Sequence, residues 1–122
     1  MAVTILGLGT ISGAQLHVNT DVDETEDDID SGAGTLYAVE VDNTLNAAVT
    51  YVKLYNAASG AVTVGTTAPD FIFLVPASVS RAFIFPQGIA YDTALSIAAV
   101  TTAGTAGVTG PTSAVTARVV FT

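Results

Sequence analysis

The chain of 122 residues has no cysteine and no tryptophan, and only Lys53, Arg81 and Arg118 carry a fixed positive charge. Each absence removes a class of protein. Without cysteine there is neither a bridge-stapled extracellular scaffold nor a thiol nucleophile. His17 is the only histidine, which is too few for a zinc site and argues against a nucleophile paired with an imidazole base. Three scattered cations cannot neutralise a run of phosphates, so no nucleic-acid partner is expected. An anionic membrane surface is disfavoured for the same reason. The net charge of −8 leaves open a positively charged partner or a surface that tolerates acid.

Long apolar runs are also missing. The opening MAVTILGLGTISGAQL is mildly apolar, but Gly and Thr interrupt it and no cation precedes it. Neither a secretory signal nor a membrane span is expected there. The chain starts at Met and reads as complete, made in the cytoplasm wherever it finally works. Good helix formers are scarce, with almost no Lys, Arg or Gln outside isolated positions.

Half of the residues are apolar, drawn largely from Ala and Val, beside many Thr and eleven Gly. Val and Thr branch at Cβ and suit a pleated sheet, while Gly punctuates turns. Two-residue alternation recurs, broken by turn chemistry every 8–12 residues or so. In TLYAVEV, Tyr37, Val39 and Val41 share one face. In VTYVKLY, Val52 and Leu54 oppose Tyr51, Lys53 and Tyr55. Leu95, Ile97 and Ala99 align, as do Val115, Ala117, Val119 and Phe121 near the end. FIFLV and RAFIF each stop at a proline, and Ala61 to Val64 is a candidate short edge strand.

The pattern predicts an all-β fold, an antiparallel two-sheet β-sandwich of about seven or eight strands. An immunoglobulin- or fibronectin-like order is the first topology and a jelly roll the second. Residues 1–33 read as an N-terminal arm with short strands (Ala2 to Leu6, Gln15 to Asn19) and an acidic loop, and residues 34–122 as the sandwich domain.

Asp21, Asp23, Glu24, Glu26, Asp27, Asp28 and Asp30 are seven of the eleven carboxylates. An EF-hand loop needs Gly at its sixth position and a closing Glu. Here Glu26 and Ser31-Gly32 stand in those places, so the motif fails. An irregular calcium site drawing on Asp21, Asp23, Asp27 or Asp28 is the alternative to a self-repelling solvated segment. No cofactor is otherwise expected. Asp21, Asp23, Glu24, Asp27 and Asp28 could meet a basic partner surface.

Glu40 and Asp42 share a strand face, better placed at a rim than in the partly apolar pocket that glycoside hydrolysis requires. No serine stands in a G-x-S-x-G elbow. GLGTISG lacks the lysine of a P-loop and the spacing of a dinucleotide fingerprint. Catalysis is not expected. Tyr51, Lys53 and Tyr55 offer either a face that stacks on a sugar or docks a partner, or rings packed at a sheet edge with Lys53 snorkelling outward. Phe71, Phe73, Phe83 and Phe85 read as core. FIFLV is apolar on both faces, so its second face calls for cover by another subunit or by the arm.

The segments TLYAVEVDNTLNAAVTYVKLYN and TTAPDFIFLVPASVSRAFIFPQGIAYDTALSIAAVTTAG, and above all GIAYDTALSIAAVTTAGTAG from Gly88 to Gly107, are similar to the head decoration (cement) proteins of tailed bacteriophages. The resemblance spans about Thr35 to Thr122 and lies in style and strand layout. It implies a non-enzymatic virion protein on the capsid exterior, bound to the major capsid protein and to itself as a homodimer or homotrimer. It carries over no contact residue. The rival expectations are an adhesive or carbohydrate-binding module using Tyr51 and Tyr55, and a tail or fibre component.

Overall fold

The computed structural model describes residues 2–5 and 9–122. Leu6, the end of the expected first strand, and Gly7 of GLGTISG lie outside the described residues. Ten strands follow one another: β1 (Ala2–Ile5), β2 (Gly9–Ser12), β3 (Gln15–Val22), β4 (Asp27–Asp30), β5 (Gly34–Asp42), β6 (Thr50–Tyr55), β7 (Phe71–Val75), β8 (Ser80–Tyr91), β9 (Leu95–Val100) and β10 (Val115–Phe121). Where an edge strand over Ala61 to Val64 was expected, the chain leaves a 3-10 turn at Ser59–Ala61 and runs on without regular structure. Val62 turns inward there, so its apolar character serves a loop anchor, not a ladder.

β1 and β2 form a separate two-stranded hairpin. The other eight strands make two antiparallel sheets, ordered β3-β10-β5-β8 and β4-β9-β6-β7. The sandwich expected from the alternation is therefore present. Its strand order is the second of the two topologies, the jelly roll, in which successive strands pass from one sheet to the other. Only β6 and β7 are neighbours both in sequence and in a sheet of the sandwich. Alternation reports which residues face inward but cannot tell a hairpin from a crossing between sheets.

That order revises the expected boundary near Gly34. β3 is an edge strand of one sheet and β4 an edge strand of the other, so Gln15–Val22 and Asp27–Asp30 belong to the sandwich. Asp27 pairs with Ile97 and Asp28 with Ser96, so half of the acidic stretch is ladder. The chain crosses between the sheets through Asp23 to Glu26.

The core is one continuous cluster. Val39, Val41, Val52, Leu54, Ile97, Ala99, Val115, Ala117 and Val119 fill its middle. Phe73 is buried, and Phe71, Phe83 and Phe85 pack half-buried against it. Phe73 of β7 meets Phe83 of β8 across the sandwich, with ring centroids 4.6 Å apart, a separation favourable for tilted rings.

A bulge changes the expected facing of β5. Leu36 pairs with Ile89 and Ala38 with Ile84, so two steps on β5 span five on β8. Leu36 then joins Val39 and Val41 in the core. Tyr37, expected beside those valines, instead packs with Ala38, Val120, Ala14 and Ile11 of the hairpin on the outer side. Gly88, at φ +74°, makes the bulge feasible: a Cβ there would collide with Thr35 and crowd the Tyr37 ring.

Candidate functional site

The Tyr51, Lys53, Tyr55 row lies on the outer face of the β4-β9-β6-β7 sheet, as its alternation predicts, but two loops close over most of it. Lys53 is fully buried. Its Nζ donates to the carbonyls of Gly107 at 2.8 Å and Thr105 at 3.1 Å. The snorkelling expected of Lys53 is thus reversed: the loop of residues 101–113 folds down onto the ammonium. Gly107 permits this approach, because a Cβ at that position would run into the Thr102 backbone. Thr101 N donates to the Thr109 carbonyl at 2.8 Å and closes the loop on itself. Burial lowers the Lys53 pKa from its ordinary value, since desolvation disfavours the charged form.

Tyr55 is also buried, in a small cluster with Val62 and Ala98. Burial first, then the charge of Glu26, raises its pKa. Only Tyr51 is partly open. A three-residue platform for a sugar or a partner therefore does not exist on this face in the folded chain.

Asp23, Asp27, Asp28 and Asp30 of the acidic stretch serve as hydrogen-bond acceptors. Asp27 Oδ2 accepts from Asn19 Nδ2 at 2.9 Å, tying β4 to β3 across the sandwich edge. Asp28 accepts from the Ser59 amide at 2.8 Å and its hydroxyl at 3.0 Å. Asp30 accepts from the Tyr91 hydroxyl at 2.7 Å, and Asp23 holds its own turn through the Thr25 amide at 2.8 Å. Asp21 and Glu24 are exposed. Among the described residues, no three of His, Cys, Asp or Glu come together in a way that could hold a metal ion. Glu40 is engaged with Arg118 at 3.1 Å on the exposed surface. Hydrogen bonds from Thr44, chiefly its hydroxyl, hold the Asp42 carboxyl below the usual range.

Sequence reading missed a buried polar network at one end of the sandwich. Asn43, read as a local turn residue, is fully buried. Its Nδ2 donates to the carbonyls of Pro76 (3.0 Å) and Ala48 (3.1 Å). Its Oδ1 accepts from Thr50 Oγ1 at 2.8 Å and Asn46 Nδ2 at 2.9 Å. Asn46 in turn exchanges two bonds of 2.8 Å with the Ser113 backbone. Three loops distant in sequence are pinned by two asparagines. The only sequence signal was a pair of Asn in a turn, which local Asx chemistry explains equally well.

Two aliphatic rows stay open. Ile72 and Leu74 on β7 are 38% and 42% exposed, and Leu16 and Val18 on β3 are 50% and 48% exposed. Ile11 of the hairpin packs on the opposite sheet.

No protein-family model matches the chain, and no curated protein matches it either. Among solved structures the chain is similar to one of the Gx strain of infectious bursal disease virus, at 13% identity and a TM-score of 0.31. That match covers 93% of this chain and 33% of the other, so this chain spans about a third of its length.

Proposed function

We propose that this chain is a structural virion protein, a decoration protein that binds the outer surface of a phage head and braces its shell. The observation that carries this reading is the strand order, β3-β10-β5-β8 over β4-β9-β6-β7. The jelly roll recurs in viral capsid and lectin domains, and the inference from it is one of fold-level analogy. Two features support it. The resemblance of Thr35 to Thr122 to decoration proteins points to the same class. The half-exposed rows Ile72/Leu74 and Leu16/Val18 are the kind of surface that a lattice neighbour covers.

On this reading the partners are the major capsid protein and further copies of the chain, as dimers or trimers. Many copies on one lattice bind with avidity, so each contact can be small. The exposed carboxylates Asp21 and Glu24 then meet solvent or basic groups of the shell. Virions purified from the source phage test the proposal. The chain should be present in a copy number set by capsid symmetry, accessible to protease from outside, and heads lacking it should rupture at lower temperature. Absence from virions would overturn it, and so would presence only in isolated tails.

A further inference from the structure

One end of the sandwich contains a cavity that neither the sheets nor the loops fill. Its volume is about 210 Å³, and the buried Leu36, Leu54 and Leu95 are among the residues that line it. Phe71 and Ile89 form its walls, with Asn56, Asp70 and Tyr91 also lining it. The pocket is partly open and its lining mixes polar and apolar groups, and a volume of roughly 150 Å³ takes one benzene ring, so there is room for a single leucine- or phenylalanine-sized group.

The cavity is held open by built features. The β8 bulge displaces Phe85 to Gly88 from the ladder and sets Ile89 back against β5 opposite Leu36. Across from it, Asp70 Oδ2 accepts from the Asn56 amide at 2.6 Å, and Asn56 Nδ2 donates to Asp92 Oδ1 at 2.8 Å. Asn56 Oδ1 accepts from the Thr93 amide at 3.0 Å. The Asn56 side chain therefore fixes the 92–94 loop, and a pocket braced this way needs little ordering on binding.

The charge around it is one-sided. Asp70 lines the cavity, Asp92 is bonded to one lining residue, and Asp30 is bonded to another, Tyr91. Among the described residues the one ion pair is Arg118 with Glu40, and Lys53 is committed to backbone carbonyls. These three carboxylates thus have no internal cation. A partly open pocket with buried leucines at its base and carboxylates that no cation balances around it favours an apolar group carried next to a positive one.

We propose that this cavity receives one apolar side chain, of leucine or phenylalanine size, that stands beside a Lys or Arg on a partner polypeptide. The apolar group fills the space over Leu54 and Leu95, and the cation lies against Asp70 and Asp92. The assignment holds for any partner of that chemistry, whether or not the chain decorates a capsid.

The test uses the intact chain, amide-labelled for NMR, and three blocked tetrapeptides: Gly-Phe-Lys-Gly, Gly-Phe-Glu-Gly and Gly-Ser-Lys-Gly. With the first, the amides of Leu54, Asn56, Asp70 and Leu95 should shift and saturate by about 10 mM, the range of a weak single-residue anchor. The other two should bind about tenfold more weakly. Asp70→Asn, which keeps an acceptor for the Asn56 amide, should weaken only the Lys-containing peptides. Leu95→Phe, which fills the hole, should abolish binding while the protein still melts cooperatively. Equal shifts with the Lys and Glu peptides, shifts mapping elsewhere, or none at that concentration would overturn the assignment.

Discussion

The Lys53 ammonium donates to the Gly107 carbonyl at 2.8 Å, 54 positions along the chain, and among the described residues no carboxylate pairs with it. A buried cation satisfied only by backbone acceptors depends on the loop that supplies them. Lys53→Ala should lower stability by about 3 kcal/mol, from lost packing and unpaired carbonyls. Amide exchange at residues 105–109 should accelerate. Lys53→Met keeps most of the stem and should cost about 1 kcal/mol. Because the folded-state pKa lies below the ordinary 10.5, the unfolded chain holds the proton to higher pH. Stability of the natural protein relative to Lys53→Met should therefore rise as pH climbs through the folded pKa toward 10.5. A flat difference across that window would show that burial does not shift this group.

Tyr91 titrates with the opposite sign. Burial first, then its bond to Asp30, pushes its pKa well above the ordinary value of 10.0. The unfolded chain releases this proton first, so stability present below about pH 10 is lost as pH rises beyond it. Tyr91→Phe removes a hydrogen bond to a carboxylate and should be less stable by about 1–3 kcal/mol at neutral pH. That gap should narrow on going to about pH 11. Denaturant midpoints for the two proteins at both pH values decide the matter.

Asn43→Ala strands the donors of Thr50 and Asn46 and the carbonyls of Ala48 and Pro76 together. A loss of at least about 3 kcal/mol is expected, large for one small polar side chain. Equilibrium unfolding in urea would register it as a lower midpoint with an unchanged slope.

Adjacent positions on β7 should behave as opposites. Phe73→Ala empties the centre of the aromatic cluster and should cost about 3–5 kcal/mol. Ile72→Ser alters an exposed outer residue and should change stability by less than about 0.5 kcal/mol. If the proposed shell contact uses that row, Ile72→Ser lowers occupancy on purified heads while leaving the melting curve where it was.

Chelation offers a fifth check. Asp23, Asp27, Asp28 and Asp30 are bonded to the Thr25 amide, Asn19, Ser59 and Tyr91. Excess EDTA should leave the Tm unchanged, since a ligand bound to the native state would otherwise raise it by mass action. A drop of several degrees would restore the calcium reading.

Alternation carried the reading of β9 and β10 almost residue for residue, because both are central strands whose core face is wholly apolar. It failed where the ladder is interrupted. Tyr37 was placed with Val39 because a period of two cannot register the β8 bulge, although Pro86 and Gly88 mark its location. β4 was missed because Asp27, Asp28 and Asp30 look like a solvated run. The Asp28 and Asp30 acceptors are instead matched by Ser59 and Tyr91, 31 and 61 positions away, which no local pattern reveals. Lys53 was misjudged for a related reason: what buries it is a Gly/Thr/Ala loop with no periodicity of its own. The cavity beside Asn56 had no sequence signature, since it arises from how far apart two strands are held.

The strand order also sets a schedule. β10, the last strand, lies between β3 and β5 and hydrogen-bonds to both. A nascent chain emerging from the ribosome therefore has an open slot in the middle of one sheet until residues 115–121 are released. Until then β3 and β5 expose unpaired edges, and the pairing that joins them spans nearly the whole chain. Slow closure is the expected kinetics for so non-local a topology. The waiting edges are where it would misassemble with another copy.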